Sequence, residues 1–363
     1  MASVKGRSDG IQVLRAILFV AIIAFHCGVA GSSIFWGGVE IFFVISAYFL
    51  TKRLCKKSYN PFKEIGHRVS RLYPVYALVL LGAAAIVFFK NDVLAIKDFL
   101  IHAVFSQNVN WMTTGYKSEL VSLTGHTWTL SIEIYAFLVY VFAFKLCKSN
   151  ISRVVFNIAA IIAAITWRTV ITVAVGDPMI ASLCPVAHFD AFAIGSLLAL
   201  FEARPIKNKT KSIALGATLA LGVAVIVSCI AVSAFTSGRS FIEAFESYKT
   251  SANYFNNPYT CNLYIGFSLL GAGLLYFVKI PSFKALVFKP FVACGNVSYS
   301  AYLIHFPICQ ILRSKIANEW IVFALTLVAT LVASFLVEWI LSLIYKLINK
   351  RKNAKGEANV TAV

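Results

Sequence analysis

The sequence predicts an all-α integral membrane protein with about ten transmembrane helices and with both termini in the cytoplasm. Of its 363 residues, 59% are hydrophobic and only 13% are charged, and the mean hydropathy is +0.79. A soluble domain is about half apolar and about a quarter charged. This composition therefore excludes one large soluble globule. It also excludes a disordered chain and a small disulfide-stapled secreted domain.

Ten apolar runs, bounded by charged residues or by Gly and Pro, are long enough to cross about 30 Å of hydrocarbon. They cover residues 11–29, 35–51, 73–89, 127–146, 154–175, 184–201, 212–235, 260–278, 290–312 and 319–345. Residues 93–107 mix charged with apolar side chains, which predicts an amphipathic helix at the membrane interface. We assign residues 1–348 to a single transmembrane domain and residues 349–363 to a disordered polar tail.

The distribution of basic residues predicts the orientation. With the N-terminus in the cytoplasm, 24 of the 33 Lys and Arg residues lie on the cytoplasmic side and seven on the other, with Arg15 and Arg168 inside spans. Cytoplasmic loops of membrane proteins carry such an excess. The orientation accounts for most of the formal charge of +18, and no nucleic-acid partner is predicted.

The eight cysteines are scattered and form no Cys-x-x-Cys pair. We interpret them as small buried hydrophobic residues. Cys184 and Cys261 lie near the outer surface, where a bridge between them is conceivable but has no support. The histidines lack the short paired spacing of metal ligands, and no metal site is predicted.

Ionisable residues at membrane depth are costly and are candidates for functional sites. The predicted orientation places seven of them, supplied by five different spans, in or near the outer half of the membrane: His26, Glu40, His126, Glu133, His188, Asp190 and His305. Helix phase supports a shared cavity. Arg15 and His26 return to within ~20° of the same face, about 16 Å apart in depth, and His126 and Glu133 also share a face.

The inner side carries a different pattern. Arg68 and Arg71 are three residues apart, at the end of the loop before the third span. On a helical turn they present two guanidinium groups in one direction, an arrangement that suits phosphate or pyrophosphate. Together with Arg15 they predict a cytoplasmic anion site. A long donor with phosphates at one end and a reactive group at the other, such as an acyl-coenzyme A, fits the separation from His26.

At these residues the sequence resembles the bacterial membrane acyltransferase-3 family of polysaccharide O-acyltransferases. Six motifs carry the resemblance, in order along nearly the whole chain: Arg15 to His26, Gly38 to Ser46, Arg68 to Tyr76, His126 to Glu133, Asp190 to Ala199, and Val297 to His305. Two positions depart from the family pattern. Ala47 replaces the usual glycine after Ser46, and Ile134 replaces an acidic residue that often follows Glu133.

The resemblance implies a multi-pass enzyme of the bacterial inner membrane, without an appended esterase-like domain. It would move an acyl group, usually acetyl, from cytoplasmic acyl-CoA to a hydroxyl of a polysaccharide or of its lipid-linked precursor. Its partners would then be acetyl-CoA, a glycan acceptor such as an O-antigen unit, and membrane lipids. Arg15 and His26 match the family's essential pair. Arg68 and Arg71 match its arginine motif beside the donor.

The chemistry needs a base, because a sugar hydroxyl must lose its proton as it attacks a thioester. His26 is the candidate base, and Glu40, Glu133 and Asp190 are candidates to orient it. His305 with Tyr302 has either a role in the site or a hydrogen bond in the core. His126 and Trp128 are expected to line the acceptor entrance. Direct transfer and an acyl-histidine intermediate both stay open.

Two other classes of function remain as alternatives. A secondary transporter or glycan flippase would use the charges near the midplane as a coupling site, although the sequence shows no inverted repeat. A membrane scaffold without catalytic activity would not need His26. Dependence on acyl-CoA separates the enzyme from both.

Overall fold

The computed structural model describes residues 8–56, 58–89, 96–114, 119–176, 178–247, 260–279 and 289–360. Seven of the basic residues counted for the orientation lie outside these ranges: Lys5, Arg7, Lys57, Lys90, Lys117, Lys249 and Lys284. Within the described ranges the protein consists of helices and connecting turns, with no strand. The predicted all-α class is confirmed.

Sixteen α-helices follow one another along the described chain. They are α1 (Asp9–Cys27), α2 (Gly38–Leu54), α3 (Pro61–Phe89), α4 (Ile96–Ala103), α5 (Gln107–Thr114), α6 (Glu119–Thr124), α7 (Trp128–Leu146), α8 (Asn150–Ala174), α9 (Pro178–Leu183), α10 (Phe189–Glu202), α11 (Asn208–Ser237), α12 (Phe241–Ser247), α13 (Leu263–Phe277), α14 (Lys289–Asn296), α15 (Ser298–Arg313) and α16 (Glu319–Val360).

Each of the ten predicted spans contains a helix. Among the described residues, eight helical segments are long and apolar enough to cross a membrane, namely those built on α1, α2, α3, α7, α8, α10, α11 and α16. Helices α13 and α15 have 15 and 16 residues. At 1.5 Å per residue each is about 22–24 Å long, shorter than the hydrocarbon layer of about 30 Å.

The third span begins earlier than the sequence predicts. Helix α3 starts at Pro61 and not near Tyr73, so Arg68 and Arg71 lie inside the helix and not at the end of a loop. Proline suits the first position of a helix, where its missing N–H is not needed. Pro74 is accommodated within the helix, which loses one backbone hydrogen bond there.

The predicted interfacial segment 93–107 contains α4, and the described part begins at residue 96. The side chain of His102 on this helix is only 1% exposed. Its Nδ1 lies 2.7 Å from the carbonyl oxygen of Asp98, and its Nε2 lies 3.2 Å from the Thr124 hydroxyl. The helix is therefore held against α6 through a buried imidazole.

Helix α16 continues to Val360, through most of the range 349–363 that was predicted to be a disordered tail. Lys, Arg, Ala and Glu are frequent in this stretch and are good helix formers. Residues 361–363 of the predicted tail lie outside the described residues.

Helix α2 lies in the centre of the bundle and packs against α10 and α13, with α7 and α1 beside it. The contact with α10 is close at Gly195, where a Cβ atom would overlap the backbone carbonyl of Val44. Helix α1 packs against α14 and α15, and α15 packs against α16. This arrangement brings the first two helices and α15 together, and they carry most of the site described below.

Candidate functional site

A cavity of about 370 Å³ lies between α1, α2, α3, α7 and α15. We call it the inner cavity, and its lining includes these residues: Ile11, Gln12, Arg15, Val39, Phe42, Phe43, Ile45, Ser46, Phe49, Leu50, Arg53, Arg68, Arg71, Leu72, Thr129, Leu130, Glu133, Phe137, Ser298, Tyr299 and Tyr302. It combines several cationic groups with aromatic and aliphatic walls. Such a mixture suits a ligand that has an anionic part and an apolar part.

The three arginines that the sequence predicts at the anion site, Arg15, Arg68 and Arg71, all line the inner cavity. Arg53 also lines it, and its Nε lies 2.9 Å from Glu64 Oε2. These side chains come from the first three α-helices of the chain. The predicted grouping of arginines is therefore present in the fold.

Arg68 is held in place by two neighbours. Its Nη2 forms an ion pair with Glu133 Oε1 and donates to the Ser46 hydroxyl oxygen at 2.9 Å. Ser46 in turn donates to Glu133 at 2.7 Å, and the guanidinium lies 5.5 Å from the centre of the Phe137 ring. Glu133 therefore belongs to the wall of the inner cavity, where it fixes the position of Arg68.

Three histidines lie together beside the part of the inner cavity that Tyr302 lines. We call them the histidine cluster: His26, His126 and His305. The ring centres of His26 and His305 are 5.2 Å apart, and those of His126 and His305 are 5.3 Å apart. Phe306 packs against the rings of both His26 and His126, at 4.9 and 4.8 Å. The sequence predicts each of these histidines in or near the outer half of the membrane, and the fold brings them together.

Hydrogen bonds fix the orientation of two of these rings. His126 Nε2 lies 3.1 Å from the carbonyl oxygen of Leu303, and His305 Nδ1 lies 2.6 Å from that of Tyr302. A carbonyl oxygen only accepts hydrogen bonds, so both of these ring nitrogens carry hydrogen. In each neutral ring the second nitrogen, His126 Nδ1 or His305 Nε2, then carries a lone pair. Both are buried and have no partner among the described residues.

Tyr302 lies between the inner cavity and the histidine cluster. It lines the cavity, and its ring centre is 5.5 Å from the rings of both His126 and His305. Its hydroxyl donates to the carbonyl oxygen of His126 and accepts from Thr129, each at 3.0 Å. One aromatic side chain thus separates the arginines from the histidines.

Glu40 and Asp190, two of the predicted partners of His26, pair elsewhere. Glu40 Oε1 lies 2.7 Å from His188 Nδ1, and both side chains are fully buried. The other ring nitrogen of His188 faces the carbonyl oxygen of Ser182 at 2.8 Å and therefore carries hydrogen. This buried pair joins α2 to the start of α10.

Asp190 forms a fully buried ion pair with Arg168 of α8, with Asp190 Oδ2 2.6 Å from Arg168 Nη2. The same nitrogen donates to Asn262 at 3.3 Å, and the guanidinium lies 5.3 Å from the centre of the Tyr264 ring. Within the described residues, the structure therefore brings no carboxylate of Glu40, Glu133 or Asp190 to His26. Each of them already neutralises another side chain.

Trp128 and His126 face different neighbours. The Trp128 ring lies 5.4 Å from that of His188, beside the Glu40 pair. His126, with which the sequence grouped it, lies against Phe306 and Tyr302. Residues 126–128 therefore contribute one side chain to the histidine cluster and another to the surroundings of the Glu40–His188 pair.

None of the eight cysteines forms a disulfide, so Cys184 and Cys261 are not bridged. Cys27 of α1 and Cys309 of α15 are in contact, with their sulfur atoms 3.5 Å apart. Over the described parts of the chain, no three His, Cys, Asp or Glu side chains have the arrangement of metal ligands.

Comparison with known proteins identifies the family. A sequence profile of the acyltransferase domain matches residues 8–342, which is nearly the whole chain. The chain belongs to the acyltransferase-3 family. No solved structure matches it.

Three relatives illustrate the similarity within the acyltransferase-3 family. The chain is 25% identical over 331 residues to O-acetyltransferase OatA of Staphylococcus aureus, with 84% of this chain and 51% of the relative covered. It is 25% identical over 327 residues to peptidoglycan O-acetyltransferase OatA of Listeria monocytogenes, covering 82% and 49%. It is 25% identical over 322 residues to BcsY of Komagataeibacter xylinus, named as a membrane-bound transacylase, covering 84% and 73%. The chain spans about half the length of the OatA relatives.

Sequence reasoning missed several polar residues in the site of this acyltransferase-3 protein. Gln12, Ser46, Thr129 and Ser298 line the inner cavity, yet each is a common uncharged residue in an apolar span. Ser46, Thr129 and Ser298 fall within the family-like motifs, and this position was the one sequence feature that could have marked them as site residues. Arg168 carried another signal, because a lone cation at membrane depth calls for an anion on a neighbouring span.

Proposed function

We propose that this protein is a membrane O-acyltransferase. It takes an acyl group, for which acetyl is the first candidate, from acyl-CoA at the cytoplasmic face. It delivers this group to a hydroxyl of a cell-surface polysaccharide or of its lipid-linked precursor at the outer face. The main support for this proposal is that the arginine-lined inner cavity and the histidine cluster are adjacent, with Tyr302 in contact with both.

The inner cavity is proposed to bind the donor. Arg15 and Arg71, with Arg68 fixed by Glu133, offer guanidinium groups to the phosphates of coenzyme A. The aromatic wall then leads the acyl-bearing arm toward Tyr302. The orientation with both termini in the cytoplasm, which rests on the charge distribution, places the arginines on the side where acyl-CoA is available.

His26 is proposed as the general base. It accepts the proton of the acceptor hydroxyl, whose oxygen forms a bond to the carbonyl carbon of the thioester as the carbon–sulfur bond breaks. The departing coenzyme A thiolate takes up a proton, so that one hydroxyl and one thioester become one ester and one thiol. His126 and His305 surround this base with rings of fixed orientation.

The relatives support the reaction class. Two of them are named as O-acetyltransferases, and one of these names specifies peptidoglycan. For this chain we propose a glycan acceptor, in the bacterial cytoplasmic membrane.

The test is binding and transfer of radiolabelled acetyl-CoA with the purified full chain in detergent. We expect His26→Ala to bind the donor but to lose transfer by ~10²–10⁴-fold, the usual contribution of a general base. Arg71→Ala and Arg68→Ala should weaken donor binding by about tenfold or more, because each removes a charge-assisted contact to phosphate. Wild-type protein that neither binds nor uses acyl-CoA would contradict the proposal and favour the transporter.

Matched controls separate these effects from a general loss of structure. His67 is an exposed histidine on α3, one residue before Arg68, and His67→Ala should keep normal transfer. Arg153 of α8 contacts Cys147 and Asn150 outside the inner cavity, and Arg153→Ala should keep normal binding. Equal losses in the control and test variants would argue against the assigned site.

A further inference from the structure

Three hydrogen-bond donors in the wall of the inner cavity have no partner among the described residues: Gln12 Nε2, Ser298 Oγ and Arg68 Nε. The side chains of Gln12 and Ser298 are each only 1% exposed. A buried donor without an acceptor costs free energy, and most proteins avoid it. The mechanism proposed above gives no role to Gln12 or Ser298. Their position points to a ligand that carries acceptor atoms.

The amide of Gln12 has a defined orientation. Its Oε1 accepts from Arg15 Nη1 at 3.5 Å. A guanidinium has only donors, so the oxygen of the amide faces Arg15 and its NH₂ group remains available. Close packing holds the backbone here, because a Cβ atom at Gly295 of α14 would overlap the carbonyl oxygen of Gln12.

Helix geometry gives the depth of each donor relative to the histidine cluster. Ser298 precedes His305 by seven residues on α15, or about 10 Å at 1.5 Å per residue. Gln12 precedes His26 by fourteen residues on α1, or about 21 Å. Because the rings of His26 and His305 are 5.2 Å apart, Ser298 lies partway along the cavity and Gln12 lies at its far end, beside Arg15.

We propose that Ser298 and Gln12 bind two different parts of the donor, an assignment that rests on the proposed function. In an acyl-CoA, the two amides of the pantetheine arm lie between the thioester and the phosphates. With the thioester at the histidine cluster and the phosphates at the arginines, a pantetheine amide carbonyl lies beside Ser298 and accepts from its hydroxyl. The Gln12 NH₂ group donates to a phosphate oxygen next to Arg15.

Two donors distinguish these contacts: acetyl-CoA and S-acetyl-pantetheine, which keeps both amides but lacks the phosphates and the nucleotide. The KM of each is measured with the purified full chain. Ser298→Ala should raise KM by about three- to tenfold for both donors, the loss of one neutral hydrogen bond. Gln12→Leu should raise KM by a similar factor for acetyl-CoA only, as Arg71→Ala should.

Ser196→Ala is the matched control. The Ser196 hydroxyl is also buried and has no partner among the described residues, but it does not line the inner cavity. It should leave the KM of both donors unchanged. Gln12→Leu carries its own folding control, since its KM for S-acetyl-pantetheine should equal that of the wild type.

Either of the following results would overturn the assignment of Ser298 and Gln12 while leaving the proposed function intact. One is a Ser298→Ala effect on KM that disappears with S-acetyl-pantetheine, and the other is a Gln12→Leu effect on KM that persists with it. Unchanged KM values in both variants would do the same. If the wild type binds neither donor, the proposed function fails, and this assignment fails with it.

Discussion

The imidazole of His26 lies 5.2 Å from that of His305, centre to centre, although the two residues stand near opposite ends of the chain. His305 is oriented by the carbonyl oxygen of Tyr302, and the lone pair of its Nε2 has no partner among the described residues. The ring contact therefore brings a side chain with an unpartnered acceptor close to the proposed base. We propose that His305 takes the positioning role for which the sequence suggested carboxylates.

His305→Leu should lower kcat for acyl transfer by roughly tenfold to a hundredfold, because His26 loses a neighbour that holds its ring. The KM for the donor should change little, since the arginines are untouched. Steady-state kinetics with acetyl-CoA give both values. His305→Gln retains a hydrogen-bond acceptor and should recover part of kcat, whereas a purely structural role predicts no such recovery. A His305→Leu variant with normal kcat would remove His305 from the mechanism.

The pair formed by Arg168 and Asp190 should be a stability element. Both side chains are 0% exposed, so Asp190→Asn leaves a buried guanidinium without its counter-charge, at a cost of about 3–5 kcal/mol. The thermal unfolding midpoint in detergent should fall accordingly. The double variant Arg168→Met with Asp190→Asn should be more stable than Asp190→Asn alone. Normal stability with lost transfer would instead support the catalytic role predicted from the sequence.

Acid should weaken the attachment of α4. Burial lowers the pKa of His102 below its ordinary value of 6.5. Between the lowered pKa and 6.5 the unfolded chain therefore binds more protons than the folded one, so stability rises with pH across that window and is lost as the pH falls below 6.5. Unfolding midpoints measured from pH 5 to 8 test this, with His102→Gln as the reference. The slope over that window should be smaller in His102→Gln, and an equal slope would contradict the assignment.

Contact between Cys27 and Cys309 gives a test of the helix arrangement. Their sulfur atoms are 3.5 Å apart, and a disulfide of about 2.05 Å needs only a small movement. Copper phenanthroline should therefore join the two cysteine-containing peptides, as detected by mass spectrometry without reduction. Cys309→Ser should abolish the product. Failure of the wild type to cross-link would place the ends of α1 and α15 further apart than described here.

Much of the fold could be predicted from the sequence because hydrocarbon imposes a simple rule on a spanning chain: apolar runs of sufficient length form helices. The grouping of Arg15 with Arg68 and Arg71 was also predictable. Helix phase and the orientation place all three toward the same side. The early start of α3 was not predictable in this way, since the charged residues between Pro61 and Leu72 exclude that stretch from an apolar run.

The partners of the carboxylates were not predictable, for a physical reason. Helix phase shows which residues share a face, but it does not show which neighbouring helix that face meets. Glu133 shares a face with His126, yet the rotation of α7 against α2 and α3 brings its carboxylate to Arg68 and Ser46. Glu40 likewise meets His188 because α2 and α10 are neighbours, and nothing in either span specifies that pairing.

Tyr302 has a consequence for the membrane as a whole. In the proposed reaction a small group crosses the bilayer while coenzyme A stays on one side and the glycan on the other. The ring of Tyr302, with its hydroxyl engaged by His126 and Thr129, stands where the two compartments would otherwise meet. If the proposed reaction holds, the Tyr302 ring would limit the passage of ions while the acyl group crosses, and so help to preserve the transmembrane potential.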